Sequence, residues 1–162
     1  MSMQRALALA EQALAAGELP IAAVITLDGQ VVCQAHTAER ALRRYLVHAE
    51  LLALTAFDEC GWSRAERRRC RLFTTLEPCM MCLGAAITAW VGEVVHALES
   101  PDDGAAALAA PRPDLPEIFR PPILRGGVGR EESRALFARY AAAAKPGGLR
   151  DWAAGLAALP TP

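Results

Sequence analysis

Apolar residues recur along the chain at two different periods, which predict both helices and strands. Five segments have the apolar spacing of a helix: residues 2–16, 48–59, 79–90, 130–144 and 149–159. Short runs of β-branched and aromatic residues predict strands over 72–76 and 91–98, and Asp28-Gly29 between two apolar runs predicts a β-hairpin. Because strands alternate with helices, we expect the α/β class, with helices on both faces of a mixed sheet in a three-layer α/β/α sandwich.

Length and composition indicate one globular domain over residues 1–162. The chain has 53% hydrophobic and 22% charged residues with a formal net charge of -1, which excludes a disordered chain and a polybasic tail. No apolar stretch reaches the ~18 residues of a membrane span, and no signal-peptide pattern is present. We therefore expect a soluble, cytoplasmic protein without a membrane partner. The proline-rich residues 101–122 predict an irregular connection before a C-terminal helical segment over 130–159.

Two short motifs carry candidate metal ligands at the starts of predicted helices. They are His48-Ala49-Glu50 and Pro78-Cys79-Met80-Met81-Cys82. Cysteines three residues apart on a first helical turn point the same way, and a histidine on a neighbouring helix can add a nitrogen. Three protein ligands leave the fourth position of tetrahedral zinc open, as in catalytic sites. Glu50 can lie beside such a metal without binding it and can move a proton.

The combined pattern, His-x-Glu followed by Pro-Cys-x-x-Cys, resembles the signature of zinc-dependent nucleobase deaminases. The flanking segments 19–24, 48–54 and 75–87 are similar to those of bacterial tRNA adenosine deaminases and the related guanine and cytosine deaminases. The likeness extends over residues 3–105 and, more loosely, over 131–140. It implies the cytidine-deaminase-like fold, one Zn²⁺ per chain on His48, Cys79 and Cys82, Glu50 as the proton shuttle, and a homodimer.

Two departures from that family concern the substrate pocket. The resemblance implies a substrate-binding asparagine on the loop after the hairpin, where this chain has His36. The family's Asp-Pro-Thr-Ala before His-Ala-Glu is replaced by the segment 44–47. We therefore expect substrate contacts from His36, Tyr45 and Arg44. A solvated His36 and a Tyr45 ring packed beside Leu46 are the alternative interpretations. Arg40 and Arg43 on the same loop are further candidate contacts.

The remaining cysteines and His96 are expected to have structural roles. Cys33, Cys60 and Cys70 are interpreted as small buried or half-buried residues. His96 falls in an apolar strand and is expected to have its hydrogen bonds satisfied.

The sequence supports a hydrolytic deaminase that replaces the exocyclic amine of a nucleobase, nucleoside or similar small amino-heterocycle with oxygen and releases ammonia. The chain is not basic overall, which favours a small-molecule substrate over RNA. Two alternatives stay open: a deaminase for the wobble adenosine of tRNA, and a non-catalytic Cys-x-x-Cys redox or structural zinc module.

Overall fold

A mixed five-stranded sheet forms the centre of the computed structural model, which describes residues 2–109 and 116–161. Its strands run in the order β2-β1-β3-β4-β5. Strand β1 pairs antiparallel with β2 and β3, whereas β4 pairs parallel with β3 and β5. The bounds are β1 Ala22–Leu27, β2 Gln30–His36, β3 Cys70–Leu76, β4 Glu93–Leu98 and β5 Ile123–Arg125.

Helices cover both faces of this sheet, as the α/β/α prediction requires. The bounds are α1 Ser2–Ala15, α2 Glu39–Leu42, α3 Ala49–Glu59, α4 Arg64–Arg67, α5 Met80–Thr88, α6 Arg130–Ala143 and α7 Gly148–Ala157. Helices α3 and α5 contribute to one buried cluster and α1 and α6 to a second, while α7 packs on α6 in a third. Neighbouring residues of β1 and β4 point into opposite clusters, so both faces of these strands are buried.

The predicted hairpin is confirmed, and its turn explains the local sequence. Asp28 and Gly29 have φ angles of 50° and 84°, and Leu27 pairs directly with Gln30. Two positive φ angles in a two-residue connection match the right-handed twist of the flanking strands. Glycine adopts this conformation freely, and aspartate tolerates it better than most residues.

Three short elements were not expected from the apolar pattern. Strand β5 has only three residues at the edge of the sheet, while α2 and α4 have four each. Elements of this length are too short to establish a periodicity, although Ser63 and Glu66 do form a capping box at α4. Cys60 is exposed, so its interpretation as a buried or half-buried residue was wrong.

The connection expected over 101–122 contains two single turns of 3-10 helix within the described residues, at Ala106–Ala109 and Glu117–Phe119. Its prolines at 111 and 113 lie outside the described residues. Across the described ranges, no helix has both the length and the apolar character needed to cross a bilayer.

His96 on β4 is buried but not satisfied, so the prediction for this residue was wrong. Its side chain is 7% exposed, and its Nδ1 atom has no hydrogen-bond partner among the described residues. The ring packs so closely on Gly126 that a Cβ there would lie 2.6 Å from the ring Cε1. Burial lowers the pKa of His96, which keeps the imidazole neutral.

Replacing His96 with leucine should therefore flatten the dependence of stability on pH. Below the ordinary histidine pKa of about 6.5, the unfolded chain takes up a proton that the buried ring resists, so acid favours unfolding. Between about pH 7.5 and about pH 5.5, we expect the wild type to lose up to about 1 kcal/mol more unfolding free energy than His96→Leu. Urea denaturation at both pH values measures this difference, and equal losses in the two proteins would contradict it.

Candidate active site

Three predicted ligands meet where two helices begin. His48 is the N-cap of α3, Cys79 is the N-cap of α5, and Cys82 lies in the first turn of α5. The Nδ1 atom of His48 is 3.7 Å from the Sγ atom of Cys79 and 3.5 Å from that of Cys82. One ligand atom from each residue lies within 4.8 Å of the other two, so these side chains could hold one metal ion.

The donor set fits zinc. One imidazole nitrogen and two sulfurs are typical zinc ligands, and no fourth His, Cys, Asp or Glu joins the group among the described residues. Glu39 lies on the other side of the His48 ring, with its Oε1 atom 3.6 Å from Nε2. A carboxylate in this position fixes the orientation of a metal-binding imidazole. Glu39, at the start of α2, was not predicted as a site residue.

The three ligand side chains strongly perturb one another. The hydrogen bond from Cys82, aided by His48, lowers the pKa of Cys79 to about 4. The same contact between the sulfurs, together with burial, raises the pKa of Cys82. The hydrogen bond to Cys79 raises the pKa of His48 to about 9. The group therefore already holds a thiolate, which is the form of cysteine that binds a metal.

Glu50 lies beside this group and is 3% exposed. The Thr74 hydroxyl on β3 donates to its Oε1 atom at 2.9 Å, and its Oε2 atom is 3.6 Å from the Sγ atom of Cys82. Burial raises the pKa of Glu50, against the opposing effects of a backbone hydrogen bond and of the Thr74 hydroxyl. A carboxyl group with a raised pKa can both accept and return a proton near neutral pH. Thr74 was not predicted as a site residue, although alternation along β3 was an available signal.

A cavity of about 290 Å³, here called the inner cavity, opens onto these residues. Its polar lining includes Glu39, His48, Glu50, Glu77, Cys79, Asp103 and Thr37. Its apolar lining comes from Leu19, Ile21, Ala49, Leu76, Leu149 and Trp152. Leu149 and Trp152 belong to α7, so the C-terminal segment forms part of the wall. The sequence motifs did not indicate that Asp103 and α7 would line this cavity.

The expected substrate contacts are not all in this cavity. His36 ends β2 instead of lying on the loop that follows, and its Nδ1 atom is 2.8 Å from the carbonyl oxygen of Thr37, to which it donates. Thr37 lines the inner cavity, whereas His36 does not. Arg44 and Tyr45 line a neighbouring cavity of about 490 Å³, here called the outer chamber.

A carboxylate clamp holds the loop that closes the inner cavity near Cys79. Glu77 accepts hydrogen bonds from the backbone amides of Ser100, at 3.0 Å, and Ala106, at 2.8 Å. Gly104 between them pairs with Cys79 in an antiparallel bridge, and a Cβ there would lie 2.4 Å from the Glu77 carboxyl carbon. Only glycine fits this approach without displacing the clamp.

We expect Gly104→Ala to displace Glu77 and the backbone next to Cys79. The added methyl group should cost about 1–3 kcal/mol of unfolding free energy and weaken zinc retention during dialysis against a chelator. Gly155→Ala is the matched control, because a Cβ there meets nothing within 4 Å and alanine favours its helix, α7. If both variants retain zinc and stability equally, the clamp does not support the site.

The chain belongs to the family described as the cytidine and deoxycytidylate deaminase zinc-binding region. The sequence model of that family matches residues 1–98 of this chain. It is 36% identical over 103 residues to the tRNA-specific adenosine deaminase of Bacillus subtilis, covering 63% of each protein. It is 38% identical over 145 residues to tRNA(Ile)-lysidine synthase of Thermus thermophilus, covering 90% of this chain but 25% of the relative. The resemblance found in the sequence is confirmed.

The fold is confirmed by a solved structure. The guanine deaminase of Nitrosomonas europaea matches with a TM-score of 0.68 at 27% identity, covering 94% of this chain and 83% of that one. The chain spans between 18% and 65% of the lengths of the curated relatives it matches.

Proposed function

We propose that this protein is a zinc-dependent hydrolytic deaminase that acts on the exocyclic amine of a nucleobase, nucleoside or related small amino-heterocycle. The observation that carries the proposal is the buried carboxyl group of Glu50 in the same cavity as a three-residue metal-binding group. A closed structural zinc site would use four protein ligands and would need no neighbouring acid. The family membership and the guanine deaminase fold match support the same reaction class.

In the proposed reaction, water supplies the oxygen that replaces the amine, and ammonia leaves. His48, Cys79 and Cys82 would hold one zinc ion per chain, and Glu39 would keep the His48 ring oriented. When bound, zinc supplies a Lewis acid that makes water nucleophilic near neutral pH.

Glu50 moves the proton in this proposal. Its carboxylate takes a proton from the attacking water and gives it to the departing amine, so the residue returns to its starting state. Burial favours the intermediate protonated form, and Thr74 fixes the position of Oε1. The apolar walls of the inner cavity, including Leu76 and Trp152, limit access of bulk water to the reacting atoms.

The mechanism predicts separate outcomes for metal binding and turnover in a Glu50→Ala variant. Purified wild type should contain about one zinc per chain, and the variant should keep that zinc but lose at least about a hundredfold in ammonia release. Metal content is read by atomic emission and ammonia by a coupled assay. Glu132→Ala, which removes an exposed carboxylate on α6, is the control and should behave as wild type. Ammonia release by Glu50→Ala at the wild-type rate would exclude this mechanism.

A second candidate substrate is an adenosine in tRNA, favoured by the 36% identity to the Bacillus subtilis tRNA-specific adenosine deaminase. Ammonia release from free bases, nucleosides, pterins and a tRNA anticodon stem-loop distinguishes the two. We expect turnover of at least one small amino-heterocycle, because the inner cavity forms within one chain and has an apolar lining suited to a planar ring. Activity on the stem-loop alone would instead establish the RNA substrate. If no compound in this panel releases ammonia in a zinc-dependent way, the non-catalytic alternative remains.

A further inference from the structure

Three cysteines outside the metal-binding group lie near one another. Cys33 is on β2, Cys60 is the C-cap of α3, and Cys70 begins β3. Helix α3 packs against β2, and both Cys33 and Cys70 pack in the apolar cluster that this helix covers. All three are free thiols. They take no part in the proposed reaction, because His48 and Glu50 lie at the opposite end of α3.

The thiols of Cys33 and Cys60 are in contact with each other. Burial, followed by the charge and the hydrogen bond of the Cys60 thiol, raises the pKa of Cys33 to about 11. A hydrogen bond between two side chains requires that their sulfur atoms be neighbours. Cys70 affects Cys33 more weakly and through its charge alone. Cys60 is therefore the cysteine positioned to form a bond with Cys33.

The two thiols differ in their access to solvent. Cys60 is exposed at the end of α3, and its Sγ atom donates to the carbonyl oxygen of Ala56 at 3.3 Å. Cys33 is half-buried and lies against the apolar cluster. Susceptibility of a thiol to oxidation increases with its exposure. A small oxidant in solution therefore reaches Cys60 first.

The end of α3 permits the movement that a covalent bond needs. Cys60 follows the last residue of this helix, whereas Cys33 lies within β2 and pairs with Ile25 of β1. Helix ends open more readily than paired strands in the interior of a sheet. The shift from a thiol contact to an S–S bond of about 2.05 Å therefore falls mainly on Cys60.

We propose that Cys33 and Cys60 are a peroxide-oxidised thiol pair that closes a reversible disulfide between β2 and α3. This inference is independent of the proposed function. In the first step the Cys60 sulfur attacks one oxygen of hydrogen peroxide, the O–O bond breaks, and a sulfenic acid and water form. The Cys33 sulfur then attacks the Cys60 sulfur, and the hydroxyl group leaves with the Cys33 proton as water. The two thiols together supply the two electrons that reduce the peroxide.

Proximity favours the second step despite the raised pKa of Cys33. The negative charge of a Cys60 thiolate contributes to that raised pKa, and conversion of Cys60 to a neutral sulfenic acid removes this contribution. Two neighbouring groups of one chain also react at a high effective concentration. The disulfide protects Cys60, because a sulfenic acid without a partner is oxidised further to a sulfinic acid, which small thiols do not reduce.

Peptide mapping after peroxide treatment tests the proposal. Trypsin cleaves after lysine and arginine, so the three cysteines fall in separate peptides, residues 6–40, 45–64 and 70–71. The purified protein would be treated with hydrogen peroxide, alkylated with iodoacetamide and digested without reductant. We expect the first two peptides to be recovered as a linked pair from at least about half of the chains. Dithiothreitol added before alkylation should release both.

Two variants distinguish a specific pair from general oxidation. In Cys33→Ser, Cys60 lacks its partner, so its peptide should carry the oxygen atoms of a sulfinic or sulfonic acid after the same treatment. Cys70→Ser is the matched control. Cys70 is 1% exposed, and its Sγ atom donates to the carbonyl oxygen of Glu66 at 3.5 Å, a hydrogen bond that serine can also make. The link between Cys33 and Cys60 should persist in this control.

The possible results are distinct. Absence of a linked peptide, a link from Cys33 to Cys70, or a link between two chains through Cys60 would overturn the proposal. Because the wild-type protein shows the link directly, the conclusion does not depend on the folding of a variant. Ammonia release is measured separately, so none of these results alters the test of the proposed reaction.

Discussion

Three metal-binding atoms can meet only if the starts of two helices lie side by side, and this requirement shapes the surrounding core. His48 and Cys79 are separated by 31 residues in the chain, yet their ligand atoms lie 3.7 Å apart. Helices α3 and α5 pack on the same face of the sheet, where Ala49, Ala53 and Ala86 are completely buried. Side chains of this size allow both helices to pack closely against the sheet. The metal-binding residues therefore stand on helices whose packing uses small residues that have no chemistry of their own.

The buried acid imposes a second constraint. Removing a carboxyl group from water is unfavourable unless hydrogen bonds compensate. Glu50 has a backbone hydrogen bond, the Thr74 hydroxyl and a weaker sulfur contact with Cys82. The arrangement leaves the acid with a raised pKa rather than fully stabilising its charged form. Further strong donors would stabilise the carboxylate and hinder its protonation. Incomplete compensation therefore suits a residue that must gain and lose a proton.

Residues contributed by local motifs were predictable from the sequence, whereas residues brought in by tertiary structure were not. His48, Cys79, Cys82 and Glu50 occur in two short patterns whose spacing already requires helix starts. Glu39 and Trp152 come from a four-residue helix and from the C-terminal helix. Nothing within their own segments distinguishes them from solvent-exposed residues. Their roles depend on which elements the sheet order brings together.

Strand β5 and His96 illustrate the same limit in the fold. A three-residue strand follows an irregular, proline-rich connection, and its pairing with β4 is specified by that partner rather than by its own pattern. For His96, the apolar neighbours correctly indicated burial. The surroundings of its ring come from elsewhere in the chain: Gly126, beyond β5, packs against it, and Nδ1 has no hydrogen-bond partner among the described residues. Burial can be predicted from the apolar pattern of a strand, whereas hydrogen-bond partners come from distant segments of the chain.

Net charge is a poor guide to the ligand of this protein, because acidic and basic side chains are concentrated in different cavities. The formal charge of -1 argues against a broadly basic surface. The two cavities differ locally, however: four carboxyl groups line the inner cavity, whereas the outer chamber has three arginines beside the carboxylates of Glu18 and Glu39. The carboxyl groups of the inner cavity favour ligand atoms that donate hydrogen bonds, such as amines and ring N–H groups. The proposed amino-heterocycle carries such donors at its edge, and the apolar part of the lining can pack against the faces of its ring.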